Sequence, residues 1–423
     1  MKKIDKFFII ICLLIQVNLF DVLDLTNTAL SAVMAYSQKK LLLAVIIIYS
    51  IFSPFFYRRK QEYQEHFFTF FVWLFVITSS LVILFTALRM DQTVLSTFFI
   101  GYNSFIILLY FPLRRALSDR KSVEYFVQLI GIFAFCFAIS KTIQSYILGH
   151  TGRSILFLNS TLDVSSARSM VKNYFGFIRL ASATDFVFFA FLLMIVFVRL
   201  GYKIFTKKVN LLMLTVYVIY LFFVGQTRIY IMLLLLILGI VILIKLKDKI
   251  SFGVISVLLF IIAIPVPLMI AYIVNLLFFK ETSRLISLSI RQGAIKYYLD
   301  NILYNGWFGF GFARDDVYNN LIHSTYMTGD GQIISFNYDD VGIIGFLAQF
   351  GISGIINMIV YLSSLLIAFI RSSRKFANLL LLSFILGSWV SVSLFDPQRS
   401  FYLPILLAIV DFVSSKQDED VLD

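Results

Sequence analysis

KETSRLISLSIRQGAIKYYLDNILYNGWFGFGFARDDVYNNLIHSTYMTGDGQIISFNYDD, residues 280–340, is a polar island in a hydrophobic chain. It carries Arg284, Arg291, Lys296, Arg314, His323, Asp339 and Asp340, and a glycine-punctuated turn, Gly306-Trp307-Phe308-Gly309-Phe310-Gly311. Apolar runs flank it at 250–279 and 341–370. About twenty apolar residues in a helix cross a hydrocarbon core of roughly 30 Å. The island therefore reads as a loop held between membrane spans, and that reading sets the fold class for the rest.

The composition agrees. The chain has 423 residues, is 60% hydrophobic and only 14% charged, and has a mean hydropathy of +0.90. A water-soluble domain cannot hide that much apolar surface. The ten-residue alternating segments of a membrane β-barrel are absent. The expected fold is all-α: a single polytopic membrane domain over 1–423 with about twelve spans. Cys12 and Cys136 both lie in apolar runs and read as small buried hydrophobes, not as a disulfide or metal site. The N-terminal Lys2, Lys3, Lys6 followed by an apolar run resembles a signal peptide but lacks a small-residue cleavage site, so it reads as an uncleaved first span.

The spans fall at 5–20, 41–56, 66–88, 94–113, 123–148, 177–198, 209–224, 229–245, 250–279, 341–370, 376–394 and 401–414. Alternate connections are short and basic: Lys2/Lys3/Lys6, Arg58/Arg59/Lys60, Arg114/Arg115/Arg120/Lys121, Arg199/Lys203/Lys207/Lys208, Lys245/Lys247/Lys249 and Arg371/Arg374/Lys375. The positive-inside rule places these, and both termini, in the cytoplasm. The net charge of +12 thus reports orientation, and no nucleic-acid-binding spacing accompanies it. The outer side receives 21–40, 89–93, 149–176, 225–228, 280–340 and 395–400. Two of these are long, 149–176 and 280–340, and long loops in compact proteins are functional or disordered. Pro265 and Pro267 predict a kink in the ninth span.

The outer side carries arginines at span ends: Arg179, Arg228, Arg284 and Arg291, with Arg314 further along the large loop. Such residues snorkel and anchor helices. They also bind phosphate oxygens bidentately and stay charged at every relevant pH. His323 is the histidine of the large loop, and Asp340 opens the tenth span, as a helix cap or as a general base. Asp21 and Asp24 form an acidic pair after the first span. The chain has no HExxH, no Cys/His cluster, no GxxxxGK[ST] and no GxSxG, which argues against a zinc protease, an ATPase and a serine hydrolase.

Taken together, these residues resemble the O-antigen polymerase and O-antigen ligase superfamily. Arg291 precedes the turn Gly309-Phe310-Gly311. Asp340 opens a run that reads on to Gly351-Ile-Ser-Gly354. Thr227-Arg228 is similar to the S/T-R step of that group, and Arg179 to an arginine that opens an earlier span. The likeness covers most of 177–354. It departs from the family pattern in two places: ligases carry a histidine where Asp340 stands, and Gly306 replaces a proline common before the G-x-G turn.

The resemblance implies a GT-C-like membrane glycosyltransferase in the bacterial plasma membrane, with its active site on the outer face. Its substrate would be an undecaprenyl-pyrophosphate-linked glycan, with no cofactor and no metal. The aspartate favours a polymerase of capsular or exopolysaccharide repeat units over a ligase. Arg179, Arg228, Arg284, Arg291 and Arg314 would hold pyrophosphate, and Asp340 or His323 would deprotonate the acceptor. A flippase and a chain-length regulator would be partners. A lipid-linked oligosaccharide flippase and an O-antigen-type ligase are the alternative readings.

Overall fold

A computed structural model describes residues 1–21, 39–56, 66–152, 173–174, 176–180, 183–245, 282–304, 306–327 and 333–415. The expected span 250–279 with its proline kink, Asp24, and most of the loops 21–40 and 149–176 lie outside the described residues.

The described chain is mostly helical. In order come α1 (Lys3–Gln16), α2 (Lys40–Phe56), α3 (Thr69–Arg89) and α4 (Val94–Gly101). A 3-10 stretch, Tyr102–Leu109, joins α4 to α5 (Tyr110–Ala116), and α6 (Arg120–Thr151) follows. A two-stranded antiparallel ladder, β1 (Asn173–Tyr174) with β2 (Phe177–Ile178), precedes α7 (Thr184–Arg199), α8 (Lys207–Tyr220) and α9 (Arg228–Lys245). Then come α10 (Thr282–Asp300), α11 (Asp315–Ile322), the hairpin β3 (Thr325–Met327) and β4 (Ile333–Ser335), α12 (Ile343–Arg371), α13 (Lys375–Gly387) and α14 (Tyr402–Ser414). Among the described residues five helical stretches are long and apolar enough to cross a membrane: Thr69–Arg89, Val94–Ala116, Arg120–Thr151, Lys207–Gly225 and Ile343–Arg371. The expected span 177–198 starts later than its hydropathy suggests. Its first residues are an extended strand, and the helix begins at Thr184.

Helix ends follow local chemistry. Asp119 caps α6 by accepting from Ser122 N at 3.0 Å, and Gly152 closes that helix in the left-handed conformation. Along α3, Phe70, Trp73, Ile77, Leu81, Leu84 and Leu88 are exposed, while Phe71, Val72, Phe75, Val82 and Ile83 are buried. The exposed residues recur every three or four positions, so they form one apolar stripe opposite the packed one. A helix apolar on both faces suits a lipid surround.

The chain divides into two compact units. One holds α1, α2 and α6 to α9. Its centre is α7, whose residues Phe186 to Met194 are buried on every face. Tyr217 of α8 donates its hydroxyl to Gly131 O of α6 at 2.7 Å. Cys12 is buried as expected, but Cys136 is exposed. This unit also buries Lys141 and Asp185.

The other unit holds α3, α4, the 3-10 stretch, α10 to α12 and α14. Rings of Phe75, Phe346 and Phe350 stack between α3 and α12. Asn357 donates to Thr78 Oγ1 at 3.0 Å across the same seam. At the other end of α3, Asp411 of α14 accepts from Phe67 N at 3.0 Å and from the Tyr110 hydroxyl. The carboxylate thereby satisfies the amide one residue ahead of the α3 N-cap, Phe68.

Candidate functional site

The second unit gathers the polar island around α10. Ala294 and Tyr298 share a core with Phe310, Phe336, Val341 and Ala348. Tyr297 donates its hydroxyl to Leu321 O at 2.6 Å and Tyr298 to Ile322 O at 3.1 Å. Two adjacent tyrosines thus fix the end of α11, immediately before His323. Tyr298 also stacks on Tyr338 at 4.9 Å between centroids.

His323 ties two segments together. Its carbonyl accepts from Phe336 N at 2.9 Å, and its Nδ1 donates to Phe336 O at 2.6 Å. Its Nε2 stands 3.2 Å from Asp315 Oδ1. Both ring nitrogens are engaged, one in closing the base of the β3–β4 hairpin and one with α11.

The G-x-G turn docks on α12. Phe310 N donates to Ala348 O and Gly311 N to Gln349 O, each at 2.9 Å. α12 breaks its helical path at Gly351, φ +62°, where the turn lands. Gly309 and Gly311 are therefore packing residues for backbone against backbone. Gly306, standing where the family pattern has proline, has φ +61°, which a pyrrolidine ring cannot adopt. Beyond the turn, Phe312 N donates to Thr86 Oγ1 at 3.2 Å. Gln92 then grips both sides of the next peptides: its Nε2 donates to Phe312 O at 3.3 Å and its Oε1 accepts from Arg314 N at 2.7 Å.

Asp339 and Asp340 lie in a 3-10 turn, Tyr338–Asp340, ahead of α12. The residue capping α12 is Gly342, not Asp340, and no side chain caps it. Asp340 is exposed and Asp339 half-buried. A second segment joins them. Asp396, 5% exposed, pairs with Arg399 Nη1 at 2.7 Å. Phe395 wedges this segment into the helices, stacked on Phe346 at 4.5 Å and edge-on to Tyr361 at 5.6 Å. Burial holds the Asp339 carboxyl above the usual aspartate range; Arg399 opposes this, Asp340 adds to it and His323 offsets it slightly. Burial pushes Asp396 well up too, and the neighbouring Asp339 charge reinforces the push against Arg399. The charges of three carboxyls, a guanidinium and an imidazole thus act on one another in one place.

Arg291 is exposed on α10, and the backbone of Arg284 lies in the first turn of the same helix. Arg314 is exposed and bound in a fork to Asp316, with Nε 2.9 Å from Oδ1. Arg179 and Arg228 belong to the other unit. There Ser145 Oγ accepts from Ile178 N at 2.9 Å and donates to Ile178 O at 2.6 Å, fixing the residue before Arg179. Leu180 N donates to Val224 O at 3.2 Å, so the Arg179 segment lies along the π-turn Leu221–Gly225 that leads into Arg228. Arg179 is exposed and Arg228 half-buried.

The sequence reading assigned no role to Asp339, Asp396 or Arg399. The spacing Asp396-Pro-Gln-Arg399 was a usable signal, since an acidic and a basic residue three apart in a tight turn can pair. Among the described residues no group of His, Cys, Asp and Glu could hold a metal ion. The chain matches no family model, no curated protein and no solved structure.

Proposed function

We propose that the chain is a polysaccharide polymerase of the plasma membrane. It has about twelve spans in a GT-C-like arrangement and joins undecaprenyl-pyrophosphate-linked repeat units on the outer face. One observation carries the reading: the polar island is folded onto helices apolar enough to cross a membrane, and it presents an exposed carboxylate, Asp340, beside His323, Asp339, Asp396 and Arg399. A membrane-embedded lipid substrate would present its glycan at such a place.

In the reaction, a hydroxyl of the incoming repeat unit attacks the anomeric carbon of the growing chain. The new glycosidic bond forms as the bond from that carbon to the phosphate oxygen breaks, and the hydroxyl proton passes to a base. Undecaprenyl pyrophosphate leaves with the bonding pair. Asp340 is the proton acceptor in this account. His323, with both nitrogens engaged, positions the hairpin and α11 beside it. Arg284 and Arg291, on the same helix of this unit, would stabilise the charge that grows on the leaving pyrophosphate. The fork from Arg314 to Asp316 is exposed and of the kind that contributes little to stability, so this guanidinium is free to exchange partners.

A flippase is the second reading, and the burial of Lys141 and Asp185 inside helices of the first unit favours it. The product that accumulates when the gene is deleted separates the readings. A lost polymerase leaves single lipid-linked repeats on the outer face, and a lost flippase leaves them facing the cytoplasm. A lost ligase leaves long unattached lipid-linked chains.

A further inference from the structure

The segment between α10 and the G-x-G turn exposes apolar side chains that its own unit does not cover: Leu299 is 49% exposed, Leu303 62% and Trp307 60%. Leu299 lies in the last turn of α10, Leu303 in the turn that follows it, and Trp307 in a short 3-10 piece, Gly306–Phe308. In a water-facing loop these groups would be an unexplained cost.

Their position explains them. Phe308 packs on Phe85 of α3 with centroids 4.9 Å apart. The Arg89 guanidinium lies over the Tyr304 ring at 5.9 Å and over Phe85 at 6.0 Å. Tyr304 and Phe308 thus sit at the C-terminal end of α3, next to the place where its exposed apolar stripe ends at Leu88, 84% exposed. The ledge continues the surface that α3 offers to lipid. Tryptophan, tyrosine and a snorkelling arginine at the end of an apolar helix are the residue types that settle at a headgroup boundary.

We propose that Leu303, Tyr304 and Trp307 form an interfacial ledge that inserts into the leaflet at the C-terminal end of α3, with Arg89 on lipid phosphates. The occupant is the lipid bilayer itself. Because Phe308 and Gly309 continue directly from the ledge onto α12, insertion would set the height at which Asp340 and His323 stand above the hydrocarbon. The inference does not depend on the glycosyltransferase reading.

The test uses the full chain reconstituted in phosphatidylglycerol vesicles. The chain has three tryptophans, so Trp73→Phe with Trp389→Phe leaves Trp307 as the single reporter. Lipids brominated near the top of the acyl chain should quench its emission about twofold, as for a side chain lodged in the headgroup boundary. Emission typical of water, quenched by iodide and not by the brominated lipid, would overturn the ledge. If the double variant does not fold, a nitroxide at Leu303→Cys in a Cys136→Ala background gives the same decision. Relaxation stronger with oxygen than with a water-soluble nickel chelate supports insertion, and the reverse refutes it.

Discussion

Gly309 and Gly351 meet backbone to backbone. A Cβ placed on Gly309 would stand 2.7 Å from Gly351 N, and one placed on Gly351 would strike Gly309 N and Gly306 O. Both glycines have positive φ, +55° and +62°. The contact joins the turn of the polar island to the break in α12, so neither side can change alone.

Gly351→Ala should therefore destabilise the protein by about 3 kcal/mol, combining left-handed strain with overpacking. Gly309→Ala should do the same. Gly239→Ala, where an added Cβ meets nothing within 4 Å, should be neutral or better. Thermal unfolding in detergent checks all three. Equal stability of Gly351→Ala and the parent would show that the turn does not dock as described.

Gln92 holds the chain after the turn through two hydrogen bonds. Gln92→Ala should loosen it by about 1–2 kcal/mol. Faster amide exchange at Arg314 N, whose acceptor is removed, is the specific signature. Exchange unchanged there would assign the hold to Thr86 and the turn instead.

The carboxyl pair predicts a pH effect of fixed sign. Asp339 and Asp396 both have folded-state values above the ordinary aspartate value of about 3.9. Below that value both states are protonated and the pair makes no difference. As pH rises from there through the elevated folded values, the unfolded chain releases its protons first, and stability falls. Asp396→Asn should flatten that fall in melting temperature against pH. The slope is the readout, since the variant also loses its ion pair. An unchanged slope would remove Asp396 from the account.

Arg399 opposes both upward shifts. Arg399→Gln should therefore move the acid side of any pH–activity profile that depends on this cluster to higher pH. A profile displaced to lower pH, or unmoved, would contradict the charge coupling.

The helical membrane character was legible in the chain because lipid imposes long apolar runs, and the run Phe67–Leu88 needs no tertiary context to be recognised. The start of α7 was not. Phe177–Ile178 are apolar and β-branched or aromatic, so hydropathy extends the span over them, while pairing with Asn173–Tyr174 and the Ser145 hydroxyl draws them into a strand. Asp340 was legible as a polar residue opening α12, but Asp339 and Asp396 were not legible as partners. They are 57 positions apart in the sequence, and only the wedge of Phe395 into α3 and α12 brings their segments together. The glycine turn was visible as a motif, whereas its contact with Gly351 depends on a break in α12 that no residue pattern announces.

In the proposed reaction Asp340 accepts the acceptor proton while Arg291 helps hold the leaving pyrophosphate. The most direct measurement is the size of the lipid-linked glycan in a strain whose only copy of the gene carries Asp340→Asn or Arg291→Ala, with each protein present at the parental level. Single lipid-linked repeat units should accumulate on the outer face in both. Polymer of parental length from either variant would contradict these roles.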